Sequence, residues 1–174
     1  MKKNKGFTLI ELLAVIAILA IVLLIAIPTV LNMIDRARIG SFRDSCLAII
    51  KSAESEVALY NIGEVSEDDF NTDCGRPTST AINFETGVTC TISGSYANKM
   101  FSMDLAGWSG TINIKQNASK QYVVTLNDGL SNGTKMIDSN KGAVGLVSSV
   151  VKSELSNTGW EDFIQNKETL PRTP

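Results

Sequence analysis

The feature that most limits how this chain can fold is an acidic residue, Glu11, at the edge of a long apolar run. The run contains no charged or polar residue from Leu12 to Ile27. A carboxylate beside a membrane-length apolar segment is costly and needs a partner, because lipid supplies neither hydrogen bonds nor a counter-charge. A secretory signal peptide or a simple anchor has no use for such a residue. Glu11 therefore indicates a role beyond anchoring; the alternative is a side chain that only faces lipid headgroups.

The apolar segment reaches a membrane-spanning length only when its flanks are included. Leu12–Ile27 alone is shorter than the roughly 20 residues that cross a hydrocarbon core, whereas the stretch from Phe7 to Ile34 is long enough. Three lysines precede the segment. This charge bias predicts a cytoplasmic amino terminus and a body outside the cytoplasm.

The order of elements differs from that of a secretory signal peptide, in which a small-residue cleavage site follows the apolar core. Here Gly6 precedes the core, and no such site follows Ile27. Cleavage between Gly6 and Phe7 would remove the lysines, keep the apolar segment and free the α-amine of Phe7. When such helices pack side by side, that amine is the obvious partner for Glu11 of a neighbouring chain. Such a pair would set the axial register rather than supply much net energy.

The run Lys5-Gly6-Phe7-Thr8-Leu9-Ile10-Glu11, followed by an apolar helix that contains Pro28, resembles the prepilin signature of type IV pilins and of the pseudopilins of type II secretion and competence systems. The resemblance implies cleavage after Gly6 by a prepilin peptidase, N-methylation of Phe7 and assembly into a helical filament through the amino-terminal helices. It assigns Glu11 to the contact with the Phe7 amine of another subunit. The implied partners are further copies of the chain, the inner or cytoplasmic membrane, and a pilus or secretion assembly machinery.

The predicted fold class is α+β, with a long kinked amino-terminal helix packed on a small antiparallel β-sheet, as the resemblance to pilins also implies. The predicted parts are a cleaved leader at 1–6, a membrane and polymerisation helix at 7–34, an amphipathic helix at 35–60 and a globular region at 61–174. Pro28 lacks an amide hydrogen and is expected to kink the helix or open it locally. The resemblance implies that this segment unwinds inside the filament.

The second half of the predicted helix carries one apolar stripe, which indicates a core-facing helix. Its members recur every three or four positions: Ile39, Phe42, Cys46, Ile49, Ala53, Val57 and Tyr60. Alternating β-branched residues predict strands at 88–92, 111–116 and 121–126, with a weaker candidate at 134–137. The second and third of these are expected to form a hairpin. A sheet with one apolar face must bury it, and the helical stripe is the only large surface available.

The remaining segments are predicted from weaker patterns. Residues 64–87 are polar and are interpreted as a solvated loop with an acidic cluster whose spacing does not match a calcium-binding loop; metal binding there is the alternative. The segment from Ala143 to Leu155 fits a helical period, although its valines leave a strand open. Trp160, Phe163 and Ile164 form an apolar patch that is expected to fold onto the body; a patch that faces a partner is the alternative.

Three cysteines, Cys46, Cys74 and Cys90, allow one disulfide in a body outside the cytoplasm. Cys74 and Cys90 lie in loop- or strand-like sequence and are the preferred pair. Cys46 lies on the helical stripe, where a free cysteine acts as a small apolar residue. A three-thiolate zinc site is the alternative, although the spacing gives it no support.

The chain contains no histidine, which excludes His-based acid–base catalysis, Ser-His-Asp systems and mixed Cys/His metal sites. No nucleophile–base pattern points to an enzyme, and no cofactor or metal is predicted. A formal net charge of −2 makes no case for nucleic-acid binding. The resemblance to type IV pilins implies a structural filament subunit in adhesion, motility, DNA uptake or secretion, made as a single-pass membrane precursor and then carried on a surface or periplasmic filament. A pseudopilin is the alternative, and a membrane-tethered binding module is a weaker one.

Overall fold

The computed structural model describes residues 8–93, 100, 104–141, 149–155 and 159–167. The chain separates into two compact units, Met1–Gly40 and Ser41–Pro174. The first unit consists of the amino-terminal part of one long helix, and the second contains the rest of that helix and both sheets. Gly6 and Phe7 lie outside the described residues.

Helix α1 extends from Leu9 to Asn61, close to the predicted bounds. Its first half is rich in leucine, alanine and isoleucine, and its long uninterrupted apolar sequence favours a membrane-type helix. Pro28 lies inside α1, which continues across it, so the helix does not unwind there in the single chain. The kink at Pro28 and its unwinding in a filament stay predictions.

In the second unit, α1 contributes a buried stripe to an α+β core. The buried members are Phe42, Cys46, Ile49, Ile50, Ala53 and Val57. They recur at helical spacing, so one face of α1 is removed from water while the opposite face stays solvated. The predicted core-facing stripe is confirmed.

The main sheet has four antiparallel strands in the order β1-β2-β3-β5. These strands are β1 (Val88–Ser93), β2 (Ser109–Gln116), β3 (Tyr122–Asn127) and β5 (Ser149–Val151). A separate two-stranded sheet pairs β4 (Lys135–Ile137) with β6 (Ile164–Asn166). Residues of β1 alternate between buried and exposed along the strand, which is the pattern of a sheet with one face on the core.

The β2–β3 hairpin forms as predicted, with Gln116 opposite Tyr122 at its closed end. Its loop is closed by a hydrogen bond from the Asn117 amide to the Gln121 carbonyl, 2.8 Å long. The carboxyl-terminal end of α1 contacts this hairpin, because the Tyr122 hydroxyl donates to Asn61 Oδ1 at 3.1 Å. The predicted arrangement of helix on antiparallel sheet is therefore confirmed.

The interpretation of 64–87 as a loop is wrong at helix α2, which extends from Glu67 to Asp73. Ser66 caps this helix, since its hydroxyl oxygen accepts a hydrogen bond from the Asp69 amide at 3.1 Å. Phe70 is fully buried and packs its ring against Tyr60 and Phe84. The buried Phe70 ring therefore attaches this otherwise polar helix to the core.

The predicted helix at the carboxyl-terminal end is wrong at residues 149–151, which form strand β5 beside β3. The short helix α3 follows at Lys152–Leu155. Residues 143–148, which belong to the same predicted helix, lie outside the described residues. Phe163 and Ile164 are buried, as expected of the apolar patch, and the side chain of Trp160 lies outside the description.

The predicted disulfide between Cys74 and Cys90 is confirmed. It joins the end of α2 to β1, and both residues are buried. Cys46 is a buried free thiol on α1, as predicted. The zinc alternative is wrong, because two of the three thiolates that it needs are bonded to each other.

Candidate functional site

The first half of α1 carries a bare apolar surface. Leu9 is 82% exposed and Leu24 is 78% exposed, whereas Phe42 in the second unit is 1% exposed. No residue in the most apolar stretch of α1 is buried. This helix is long and apolar enough to cross a membrane. So much exposed apolar surface is unstable in water, and either lipid or other helices must cover it.

Glu11 lies in the first turn of α1 and is held by Thr8, the residue just before the helix. The Thr8 amide and the Thr8 hydroxyl both donate to Glu11 Oε2, each at 2.8 Å. The Glu11 amide donates back to the Thr8 hydroxyl oxygen at 3.4 Å. These contacts form a capping box, in which two residues three positions apart satisfy each other's amides at a helix start.

The second carboxylate oxygen of Glu11 has a different environment. Within the part of the chain that the structure describes, no hydrogen bond reaches Oε1 and no cation pairs with Glu11. The carboxylate is therefore satisfied on one side by its own subunit. It also lies at the positive end of the α1 macrodipole, which favours its charge.

The structure bears on the sequence-predicted site residues to different degrees. Glu11 lies at the start of an exposed apolar helix, and Pro28 lies within that helix. Gly6 and Phe7 are outside the described residues, so cleavage, methylation and the contact between Glu11 and Phe7 stay predictions. Sequence reasoning missed Thr8, although the Thr-x-x-Glu spacing before an apolar run is itself the signature of a capping box.

The acidic cluster of the second unit is engaged within its own fold. Glu67 accepts a hydrogen bond from the Ile82 amide at 3.0 Å, and Asp69 accepts one from the Ser66 hydroxyl at 2.6 Å. Among the described residues, no group of three or more cysteine, aspartate or glutamate side chains could hold a metal ion. The carboxylates that were interpreted as a solvated cluster thus include two that stabilise the α2 region.

Two carboxyl groups of the second unit have shifted pKa values of opposite direction. Partial burial raises the pKa of Glu56, and the charge of Asp73 raises it further. Lys120 lowers the pKa of Glu85 through a hydrogen bond from its ammonium group at 2.9 Å and through its positive charge. Both shifts have structural causes and neither group lies in an enclosed site.

A family model of the prokaryotic N-terminal methylation motif matches residues 1–27. The chain carries a prepilin signature. The matched residues include the Gly6-Phe7 junction, Thr8, Glu11 and most of the bare apolar helix. No curated protein and no solved structure matches the chain, so the comparison bears on the amino-terminal segment alone.

The prepilin signature bears on processing and assembly through the amino-terminal segment. It is the signature of the type IV pilin and pseudopilin class, whose members are structural subunits, and it implies processing by a prepilin peptidase and assembly into pilus-like filaments. The exposed apolar helix is consistent with a membrane-anchored precursor.

Proposed function

We propose that this chain is the structural subunit of a type IV pilus or a pilus-like filament. The methylation motif at residues 1–27 carries this proposal, together with the bare apolar helix that begins within it. In the proposed scheme a peptidase removes residues 1–6, the new amino group of Phe7 is methylated, and the subunits polymerise through the apolar half of α1. The second unit faces outward along the filament.

The membrane serves as a reservoir of subunits in this scheme. The exposed side chains from Leu9 to Ile34 can be covered by lipid in the precursor and by neighbouring helices in the filament. Transfer from one apolar environment to another changes the free energy of the apolar surface little, because lipid tails are as apolar as leucine. Assembly therefore needs a specific contact that fixes the axial position of each subunit relative to its neighbour.

Glu11 supplies that contact in our proposal. A cation stabilises an ionised carboxylate beside hydrocarbon more than a neutral partner does. The Phe7 amine that cleavage exposes on another subunit is such a cation. The two groups meet only at one axial offset between adjacent helices. The pair would therefore select the register of the filament rather than supply most of its stability.

The disulfide supports an orientation with the second unit outside the cytoplasm. Disulfides persist in oxidising compartments and are rare in the cytosol. Cys74 and Cys90 are bonded and buried within the second unit. The lysines at the other end of the chain support the same orientation, because positive residues favour the cytoplasmic side.

Intact mass and amino-terminal sequencing of the protein from its native membrane test this function. We expect a chain that begins with N-methylated Phe7. A chain that begins at Met1 would indicate an unprocessed anchor and a membrane-tethered module. A chain that begins after Ile27 would indicate a secretory signal peptide, and either result would contradict the proposal.

A further inference from the structure

We propose that Thr8 is a positioning residue that divides the carboxylate of Glu11 between two subunits. One oxygen is held within the subunit by Thr8, and the other is left to accept the Phe7 amine of a neighbour. This inference rests on the proposed function, in which Glu11 and that amine form the register contact. Thr8 acts through Glu11 and has no direct part in the contact itself.

The hydrogen bonds of Glu11 are distributed unevenly over its two oxygens. The Thr8 amide and hydroxyl converge on Oε2 at 2.8 Å each, and no described residue donates to Oε1. An ionised carboxylate offers about four acceptor positions over its two oxygens, so a second partner on Oε1 does not require the first to leave. A neighbour's amine can therefore be added to the box without breaking it.

Two physical consequences follow from this arrangement. Two charge-assisted hydrogen bonds restrict the Glu11 side chain to one orientation before assembly, which reduces the ordering cost of the contact. They also provide part of the hydrogen bonding that a carboxylate at the edge of lipid needs while the subunit is still single. Thr8 therefore lowers the cost of placing Glu11 at the edge of lipid in the precursor. It also holds the Glu11 side chain in one orientation before assembly.

If Thr8 acts through Glu11, its loss should weaken only one of the two contacts that a subunit makes. A purely structural role of Thr8 does not predict this difference. Each subunit accepts with Glu11 on one contact and donates with Phe7 on another. Thr8 holds Glu11, so its loss weakens a subunit as an acceptor and leaves the same subunit unchanged as a donor. A Thr8 that only stabilised the start of α1 would affect both sides equally.

Two full-length variants isolate a single contact. Gly6→Val keeps the leader, leaves no free Phe7 amine and can only accept. Glu11→Ala is processed, exposes its amine and can only donate. With different affinity tags and co-expression in the native membrane, capture of the donor by the acceptor reports the one pairing, and mass spectrometry verifies the processing state of each.

We expect Thr8→Val in the acceptor to lower capture about tenfold or more, which is the scale of a lost hydrogen bond to a charged group. Thr8→Ser in the acceptor restores the hydroxyl and should restore capture. Thr8→Val in the donor should leave capture unchanged. Thr29→Val in the acceptor is the matched control, because Thr29 lies in the same exposed half of α1 and its hydroxyl donates to the Ile25 carbonyl, at 3.5 Å.

The outcomes separate the inference from the function on which it rests. Unchanged capture with Thr8→Val in the acceptor, or an equal loss when it is placed in the donor, would overturn the role of Thr8 and leave the register contact standing. If the acceptor captures the donor no better than an acceptor that also carries Glu11→Ala, the contact between Glu11 and the amine is itself wrong. The assigned role of Thr8 would then be wrong with it.

Discussion

At the scale of single residues, the acidic residue Glu11 lies at the start of a helix, where the residue before the helix can donate hydrogen bonds to it. Glu11 combines a local role, the capping box with Thr8, with a proposed role between subunits. The local role follows from the Thr-x-x-Glu spacing and needs no partner chain. The proposed role depends on charge, so substitutions that keep the shape and remove the charge can separate the two.

Glu11→Gln keeps the size of the side chain and an oxygen that can accept from Thr8, but it removes the negative charge. We expect normal processing and membrane insertion, with the amount of filament reduced to below about a tenth of wild type, because a neutral amide does not favour the Phe7 ammonium group. Glu11→Ala should show the same separation between processing and assembly. Shear fractionation and immunoblotting measure filament and membrane pools. Wild-type filament levels in Glu11→Gln would contradict the charge role.

Glu56 makes a second residue-scale prediction, on the pH dependence of stability. Its pKa is raised in the folded chain by burial and by Asp73, so the folded state holds this proton more tightly than the unfolded state. The associated stability is present below the ordinary carboxyl pKa and is lost as the pH rises through the raised pKa. Glu56→Gln should therefore raise the denaturant midpoint at about pH 7, where the buried carboxylate is disfavoured, and should have little effect near about pH 4.

Glu85→Gln is the control with the opposite sign. Lys120 lowers the pKa of Glu85, so the ionised carboxylate is favoured by folding. Its contribution is present above the ordinary carboxyl pKa and is lost as the pH falls. The substitution should lower the midpoint slightly at neutral pH, and a midpoint shift of the same sign in both variants would contradict the assigned causes.

At the scale of elements, the short helix α2 shows how one apolar residue organises a polar segment. Phe70 enters an aromatic cluster whose rings also come from Tyr60, Phe84 and Tyr122. Ser66 caps the helix, and the disulfide fixes its end to β1. Three independent restraints thus hold an element of two turns that would not persist as an isolated helix.

Phe70→Ala should lower the free energy of unfolding by about 3–5 kcal/mol, because it removes a fully buried ring and leaves a cavity. Denaturant unfolding of the full chain in detergent, followed by tryptophan fluorescence, measures the change. Ser66→Ala is the matched variant in the same helix and should cost only about 1 kcal/mol. A smaller loss for Phe70→Ala than for Ser66→Ala would contradict the account of α2.

The elements that the sequence predicted well are those whose signal is periodic and local. Three features follow from residue spacing within short stretches of sequence: the long apolar run, the stripe from Phe42 to Val57 and the β2–β3 hairpin. The misses have a different cause. Residues 149–151 carry valines that suit either a helix or a strand, and pairing with β3 decides in favour of the strand. Helix α2 was not predicted, because most of its residues are polar and only the Ser66 cap and the buried Phe70 indicate a helix on the core.

The residues of the candidate site also differ in how far the sequence alone predicts them. Glu11 was identified because a charge in an apolar run is visible in the sequence, whereas Thr8 is an ordinary residue until its bonds to Glu11 are seen. The Cys74–Cys90 pair was chosen from the character of the flanking sequence. Its position, which joins α2 to β1, depends on a helix that was not predicted.

At the scale of the whole molecule, the two units have opposite requirements. The first unit exposes its apolar side chains and needs lipid or other subunits, whereas the second buries a complete core with both sheets. A buried disulfide reinforces that core. The molecule therefore contains two kinds of segment. One needs lipid or other subunits to cover its apolar side chains, and the other is stabilised by its own core.

The disulfide prediction belongs to this scale. Replacing Cys74 and Cys90 together by serine should lower the free energy of unfolding of the second unit by about 3 kcal/mol, the chain-entropy value for a loop of roughly this length. Cys46→Ala, which removes the free thiol and keeps the disulfide, is the matched control and should cost less. Because both bonded cysteines are buried, reductant should reach the bond only under unfolding conditions. Rapid reduction of the native protein, detected by alkylation and mass spectrometry, would contradict the buried placement.

A filament map is the most direct test of the central claim that one acid and one exposed amino group set the packing of subunits. We predict that the Glu11 carboxylate of each subunit lies within about 4 Å, the usual ion-pair distance, of the Phe7 amine of an adjacent subunit. The same map should retain the contact between Glu11 and its own Thr8. A map that places every Phe7 amine far from any neighbouring Glu11 would contradict the proposed assembly.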